Sequence, residues 1–159
     1  MAERLVRATG RSRIYLATAE AWDDEMRARI TQHQADRGED WVTVNAPLDL
    51  AGALARVPRE SVALVDCATL WLSNHLLANH DLKAEGDALL TALAACAAPI
   101  VVVSNEVGLS IVPENALART FRDAQGRLNQ HLAAHADLVV AVWAGLPLVL
   151  KGKMPEGVK

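Results

Sequence analysis

Apolar residues fall in short continuous blocks separated by longer stretches of helical period, and this pattern predicts strands and helices in alternation. Met1 to Arg7 is expected to be helical, with Gly10 as its stop. Ile14 to Ala17 is a short strand, and Asp23 to Ala35 a helix with Asp23, Asp24 and Glu25 in the first turn, where acids suit the helix dipole. Val42 to Val44 is a short strand and Leu48 to Arg56 a helix. The apolar run Val62-Ala63-Leu64-Val65 is a buried strand, followed by helical residues from Thr69 to Ala78. Ala84 to Ala98 is an Ala/Leu-rich helix, and Ile100 to Val103 is the next strand. A long helix from Glu114 to His135 leads to strands at Leu138 to Trp143 and Leu148 to Lys151, joined through Gly145-Leu146-Pro147 as an antiparallel hairpin at an edge. Strands alternating with helices imply an α/β domain with a mainly parallel sheet flanked by helices.

The most specific segment runs from Ser104 to Gln130. Ser104-Asn105-Glu106 stands where the strand at Ile100 ends, and in open parallel sheets ligands bind at the carboxyl ends of strands. Pro113 is expected to open the long helix, with Glu114 at its positive end. Leu117, Phe121, Ala124, Leu128 and Leu132 then form one buried stripe. Packing alone does not ask for Asn105, Glu106, Glu114, Asn115 and Asn129 together, so a binding role is expected in this stretch.

Composition narrows the class. With 159 residues, 52% hydrophobic and 22% charged, the chain suits one globular domain, taken as residues 1–153 with 154–159 as a loose tail. A net charge of -3 offers no basic face, which argues against a nucleic-acid partner. Cys67 and Cys96 lie in apolar surroundings without ligand spacing and are expected as buried free thiols of a reducing compartment. The long uncharged stretches are broken by Pro99, Gly145 and Pro147, and the first residues lack the apolar core of a signal peptide. No membrane span and a cytoplasmic location are therefore expected.

Several residues can do chemistry. Met26, Ile30 and His33 recur at helical spacing, so His33 is expected to end an inward stripe; a neutral imidazole there is a competent nucleophile, but by spacing alone a partly buried structural His is the better reading. Asp66 follows a buried apolar run, the position from which a strand-end carboxylate holds Mg²⁺ directly or through water; a turn-capping Asp is the alternative. His75 and His80 lie five apart without a third ligand and are read as a solvated helix end. His131 and His135 are spaced as metal ligands can be, but lack an attendant acid motif and are read as structural. Trp22, Trp41, Trp71 and Trp143 are read as core or interface residues, with one facing a bound ligand as the alternative.

Four stretches closely resemble the bifunctional adenosylcobinamide kinase / adenosylcobinamide-phosphate guanylyltransferase family of cobalamin biosynthesis. They are Ser104 to Gln130, Tyr15 to His33, Val65 to Asn74, and the tail Ala136 to Lys151. The resemblance implies a P-loop NTPase-like fold and two reactions: phosphorylation of adenosylcobinamide, and guanylyl transfer from GTP to adenosylcobinamide phosphate through a GMP-histidine intermediate. His33 falls on the family histidine that takes GMP. Ala17, Thr18, Ala19, Gln34, Ala35, Asp36, Arg37 and Asp66 align with its nucleotide contacts, Arg37 with charge to neutralise phosphate. GTP, ATP and Mg²⁺, the last at Asp66, are implied, together with a corrinoid substrate and a homo-oligomer, by resemblance a trimer.

Two departures qualify that reading. Asn45 stands where the family usually has Glu, keeping hydrogen-bonding capacity but losing the negative charge that can accept a guanine N–H pair. The family also begins with a strand and a G-x-x-x-x-G-K-[ST] loop that wraps phosphates in backbone N–H groups, and no such motif occurs here. Gly10-Arg11-Ser12-Arg13 has neither the second Gly nor the Lys. The first strand and phosphate loop are therefore expected to be missing, through a start assigned at an internal Met or through a shortened protein that folds differently or needs a partner strand. The loss of a central strand is expected to leave an unpaired, apolar seam. Two other readings stay open. One is a catalytically impaired nucleotide- or corrinoid-binding remnant or oligomer subunit; the other is a different P-loop small-molecule kinase.

Overall fold

A computed structural model describes residues 1–21 and 23–158, with the side chains of Arg29, Gln34 and Asp36 outside that description. Twelve elements follow in the order α1 (Ala2–Ala8), β1 (Ser12–Ala17), α2 (Asp24–Arg37), β2 (Trp41–Asn45), α3 (Leu50–Ala55), β3 (Ser61–Asp66), α4 (Ala68–Leu77), α5 (Leu82–Ala95), β4 (Ile100–Val103), α6 (Ala116–His135), β5 (Val139–Trp143) and β6 (Leu146–Lys151). Strands β2-β1-β3-β4 form one four-stranded sheet, parallel throughout. The α/β class and the mainly parallel sheet are as the sequence pattern implies.

Alternation along the strands divides the core in two. Leu16, Ala63 and Val65 pack with Leu50, Leu54, Trp71, Leu72, Leu89 and Leu128 from α3, α4, α5 and α6. Residues of opposite parity, Tyr15, Val62 and Leu64, pack with Val6 of α1 on the other face. β3 is buried along nearly its whole length because both faces are covered. β3 pairs with β1 on one side and with β4 on the other, whereas β4, half-buried along its length, is an edge of this sheet among the described residues, with β5 and β6 in a separate sheet.

Some boundaries differ from the sequence reading. α6 begins at Ala116, not at Glu114, because the Asn115 side chain accepts from Leu117 N and Ala118 N and so fixes the cap one residue beyond Glu114. Pro113 and Glu114 precede the helix, and their carbonyls accept from Arg119. Leu117 is 52% exposed, so the buried stripe of α6 starts at Phe121. The hairpin β5–β6 forms its own two-stranded sheet, with Ala144-Gly145 as its turn and Lys151 Nζ donating to the carbonyls of Ala133 and Ala134. Val158 in the tail is buried.

Candidate functional site at the carboxyl edge of the sheet

Strand register places four residues in one row at the carboxyl edge. Asn45 pairs with Ala17, Ala17 with Asp66, and Asp66 with Val103. Residues of one row share a face, so Asn45 and Asp66 flank the small Ala17 side chain on the face that carries Tyr15. Three residues selected from sequence for nucleotide contact thus meet in one row.

Asp66 Oδ2 accepts from the Tyr15 hydroxyl at 2.8 Å. Burial, then the neighbouring Asp66 charge, pushes the Tyr15 phenol up from its ordinary pKa, so it remains a hydrogen donor. The Arg37 guanidinium carbon lies 3.3 Å from the centroid of the Tyr15 ring, a cation–π contact. Arg37 is 4% exposed; its Nη2 donates weakly to Thr43 Oγ1 at 3.4 Å, while Nε and Nη1 have no hydrogen-bond partner among the described residues. Buried donors of a permanent cation left without acceptors are costly, and an anion is what would satisfy them.

The loops after the strands are held tightly. Thr18 is fully buried; its hydroxyl donates to Cys67 O at 2.8 Å and accepts from Cys67 N at 2.7 Å. That hydroxyl clamps the β1 and β3 ends together, with its proton engaged by the protein. Asn74 on α4 donates to Thr18 O and Pro47 O, extending the clamp to the end of β2. Beyond β4, Asn105 N donates to Thr69 Oγ1, and Ser104 Oγ donates to Asn129 Oδ1 at 2.6 Å. Gln125, fully buried, donates from Nε2 to both Ser104 Oγ and Asn129 Oδ1.

Packing therefore does require part of the polar set that sequence reasoning assigned to binding. Asn115 caps α6, Asn129 pins the Ser104–Asn105 turn, and Glu106 accepts from Gly108 N. Gln125 is the member that sequence reading missed. One signal could have found it: a Gln among the apolar residues of the inward face of α6, one residue after Ala124.

His33 differs from expectation. Met26 and Ile30 are half-buried, but His33 is exposed, so the inward stripe ends before it. α2 is anchored instead by Arg37, one turn further on and on the same side of the helix. Ala35 is exposed, and Asn45 is exposed at the end of β2. Ala19 is half-buried. Trp22 lies outside the described residues, as do the side chains of Gln34 and Asp36. Among the other tryptophans, Trp71 is buried, Trp41 half-buried and Trp143 exposed. Cys67 is a buried free thiol, whereas Cys96, also free, is half-buried rather than buried.

The helix end at His75 also departs from the sequence reading. His75 is 2% exposed, not solvated, and a third potential ligand, Glu85, stands beside it and His80.

A mainly parallel α/β sheet flanked by helices, with polar side chains and a carboxylate along its carboxyl edge, is an architecture of the P-loop-like kind. A family model described as cobinamide kinase / cobinamide phosphate guanyltransferase matches residues 1–150, and the chain belongs to that family. It is 42% identical over 156 residues to the bifunctional adenosylcobalamin biosynthesis protein CobP of Pseudomonas aeruginosa, covering 96% of this chain and 90% of that one. Similarity to the bifunctional adenosylcobalamin biosynthesis protein CobU is 38% over 154 residues in Escherichia coli and 37% over 155 residues in Salmonella typhimurium. Each match covers 87% of this chain and 85% of the relative. No helix among the described residues is long and apolar enough to cross a membrane.

Proposed function

We infer that this chain carries out both family reactions: phosphoryl transfer to adenosylcobinamide, and guanylyl transfer from GTP to adenosylcobinamide phosphate. The observation that carries this is the row Asn45–Ala17–Asp66 at the carboxyl edge, with the Arg37 guanidinium stacked beside it on Tyr15. Ala17 leaves room for a nucleotide to approach the backbone.

The donor set fits Mg²⁺. Asp66 offers a hard oxygen, Oδ1, with no partner among the described residues, while Oδ2 is fixed by Tyr15. Mg²⁺ binds in this manner, through one or two carboxylates plus waters and phosphate oxygens. Once bound it would offset charge developing on the phosphates. Tyr15 holds the carboxylate in orientation, and Arg37 supplies a fixed positive charge on the same face. With ATP or GTP as donor, the hydroxyl of the aminopropanol arm attacks the terminal phosphorus and the nucleoside diphosphate leaves.

In the second reaction a nitrogen of His33 attacks the α-phosphorus of GTP. A P–N bond forms, the P–O bond to the β-phosphate breaks, and pyrophosphate departs. A phosphate oxygen of the corrinoid then attacks the same phosphorus, breaking P–N and yielding adenosyl-GDP-cobinamide. The exposed position of His33 suits a group that must meet two bulky substrates in turn. Asn45, neutral where a Glu would be negative, weakens guanine selection and makes base preference broader. The half-buried and exposed apolar surface of the hairpin suits association of several copies, in keeping with a homo-oligomer.

The test is incubation of the 159-residue chain with α-labelled GTP and Mg²⁺, beside His33→Ala. An acid-labile label on the parent and none on the variant is expected. Folded parent protein without label would overturn the guanylyl-transfer reading and favour a non-catalytic binding subunit.

A further inference from the structure

His75, His80 and Glu85 come from three different places: the last turn of α4, the turn beyond it, and the first turn of α5. Asp81, which caps α5 by accepting from Lys83 N and Ala84 N, folds that turn so that Glu85 faces back towards the two imidazoles. His75 Nδ1 lies 2.9 Å from His80 Nδ1 and 3.7 Å from Glu85 Oε2, and His80 Nδ1 lies 3.8 Å from Glu85 Oε1. Ligands of a four-coordinate Zn²⁺ with bonds near 2.0 Å stand about 3.3 Å apart. The three separations bracket that value.

The surroundings prepare His75 as a ligand. Its Nε2 lies 3.2 Å from Leu48 O, which can only accept, so Nε2 carries the hydrogen and Nδ1 keeps its lone pair in the neutral ring. A backbone carbonyl holding the far nitrogen is the usual outer support of a metal-bound histidine. Trp71, 4.5 Å away between ring centroids, fixes the ring plane and donates to the same carbonyl at 3.0 Å. Burial pushes the imidazole pKa down from its ordinary value. His80 and Glu85 have side chains 41% and 37% exposed, so they have freedom to close the remaining tenths of an ångström. A cleft of about 260 Å³ lined by Leu48, Trp71, His75, Glu85 and Leu89 opens beside the cluster.

We propose that His75, His80 and Glu85 bind one divalent transition-metal ion of the Zn²⁺ type, with a water from the adjoining cleft as fourth ligand. Two imidazoles select against hard ions such as Mg²⁺ and Ca²⁺, which take oxygen ligands. On binding, His80 exchanges its Nδ1–H tautomer for Nε2–H, so the shared hydrogen bond to His75 is replaced by two metal–nitrogen bonds without net change in ring charge. The ion ties α4 to α5. None of its three ligands belongs to the set assigned to either transfer reaction, and its occupancy is independent of whether either reaction occurs.

The test is titration of the metal-free full chain with Co²⁺, followed by displacement with Zn²⁺, read by visible absorption and calorimetry. One Co²⁺ per chain with the intense absorption of a four-coordinate site is expected, displaced by one equivalent of Zn²⁺. His80→Ala and Glu85→Gln, whose side chains are partly exposed and whose folding is checked by circular dichroism, should each weaken binding at least about tenfold. His135→Ala, on the i, i+4 pair of α6, should bind as the parent does. Absence of stoichiometric binding by the parent overturns the proposal. So does unchanged affinity in both folded site variants, or loss of binding in His135→Ala alone.

Discussion

Tyr15 and Asp66 are diagonal neighbours on adjacent parallel strands, and the phenol donates to the carboxylate at 2.8 Å. This bond joins the buried face under α1 to the carboxyl edge where the candidate site lies. Tyr15→Phe keeps the ring and its contact with Arg37 but removes the donor. Since Asp66 is only half-buried, water replaces part of the bond, and a loss of about 1 kcal/mol in unfolding free energy is expected. The pH dependence follows from the raised phenol pKa. Below pH about 10 the tyrosine is protonated in both folded and unfolded chains; above it the unfolded chain releases the proton first, so stability falls as pH rises. The slope attributable to this group reaches about 1.4 kcal/mol per pH unit. Urea unfolding at pH 9, 10 and 11 should show a flatter alkaline decline in Tyr15→Phe than in the parent.

Asp66→Asn separates the carboxylate's charge from its place in the fold. The amide oxygen can still accept from Tyr15, so melting behaviour should change little. Without the negative charge the proposed Mg²⁺ contact is lost, and both phosphoryl and guanylyl transfer should drop at least about 100-fold. Transfer from γ-labelled and α-labelled nucleotide, measured in parallel, checks this. Full activity in the variant would remove Asp66 from the proposed site.

Thr18 and Cys67 hold the β1 and β3 ends through two hydrogen bonds. Thr18→Val preserves shape but strands the N–H of Cys67 in a buried position, while its C=O keeps Trp71 N as a donor, at a cost of about 2 kcal/mol. The Cys67 thiol is pushed up chiefly by burial, so it should resist alkylation near pH 8, while the half-buried Cys96 reacts first. Thiol counting with a disulfide reagent should find one fast group in the parent and two in Thr18→Val.

The sequence made the sheet legible because its signals are local. Val62 to Val65 and Ile100 to Val103 are uninterrupted apolar runs, and only a strand covered on both faces suits them. Asp66 was legible for the same reason, as the first polar residue after such a run. His33 was misplaced because Met26 and Ile30 define a stripe that the tertiary structure ends early, with Arg37 taking over the anchoring of α2. Glu85 was not seen as a partner of His75 and His80 because the three meet only when the turn after α4 is closed by the Asp81 cap. Asn115 and Asn129 also cap a helix and pin a loop, roles that leave the same polar residues in a sequence as a binding site does.

The hairpin offers a pair of substitutions with opposite expected signs. Ala144 and Gly145 form its turn with φ of 50° and 79°, the left-handed pair that the right-handed twist of β5 and β6 requires. Alanine bears a cost of about 1 kcal/mol there, so Ala144→Gly should stabilise by about 0.5 kcal/mol after the greater freedom of glycine in the unfolded chain is counted. At the far end, Gly152 has a φ of 77° and its backbone lies against the Asp137 carbonyl, where an added Cβ would collide. Gly152→Ala should therefore destabilise by about 2 kcal/mol or more. Lys151 joins this strand to the end of α6, which couples the hairpin to the main unfolding transition. Thermal melts of the two variants should move in opposite directions from the parent, and an unshifted main transition in both would mean that the hairpin melts separately from the sheet.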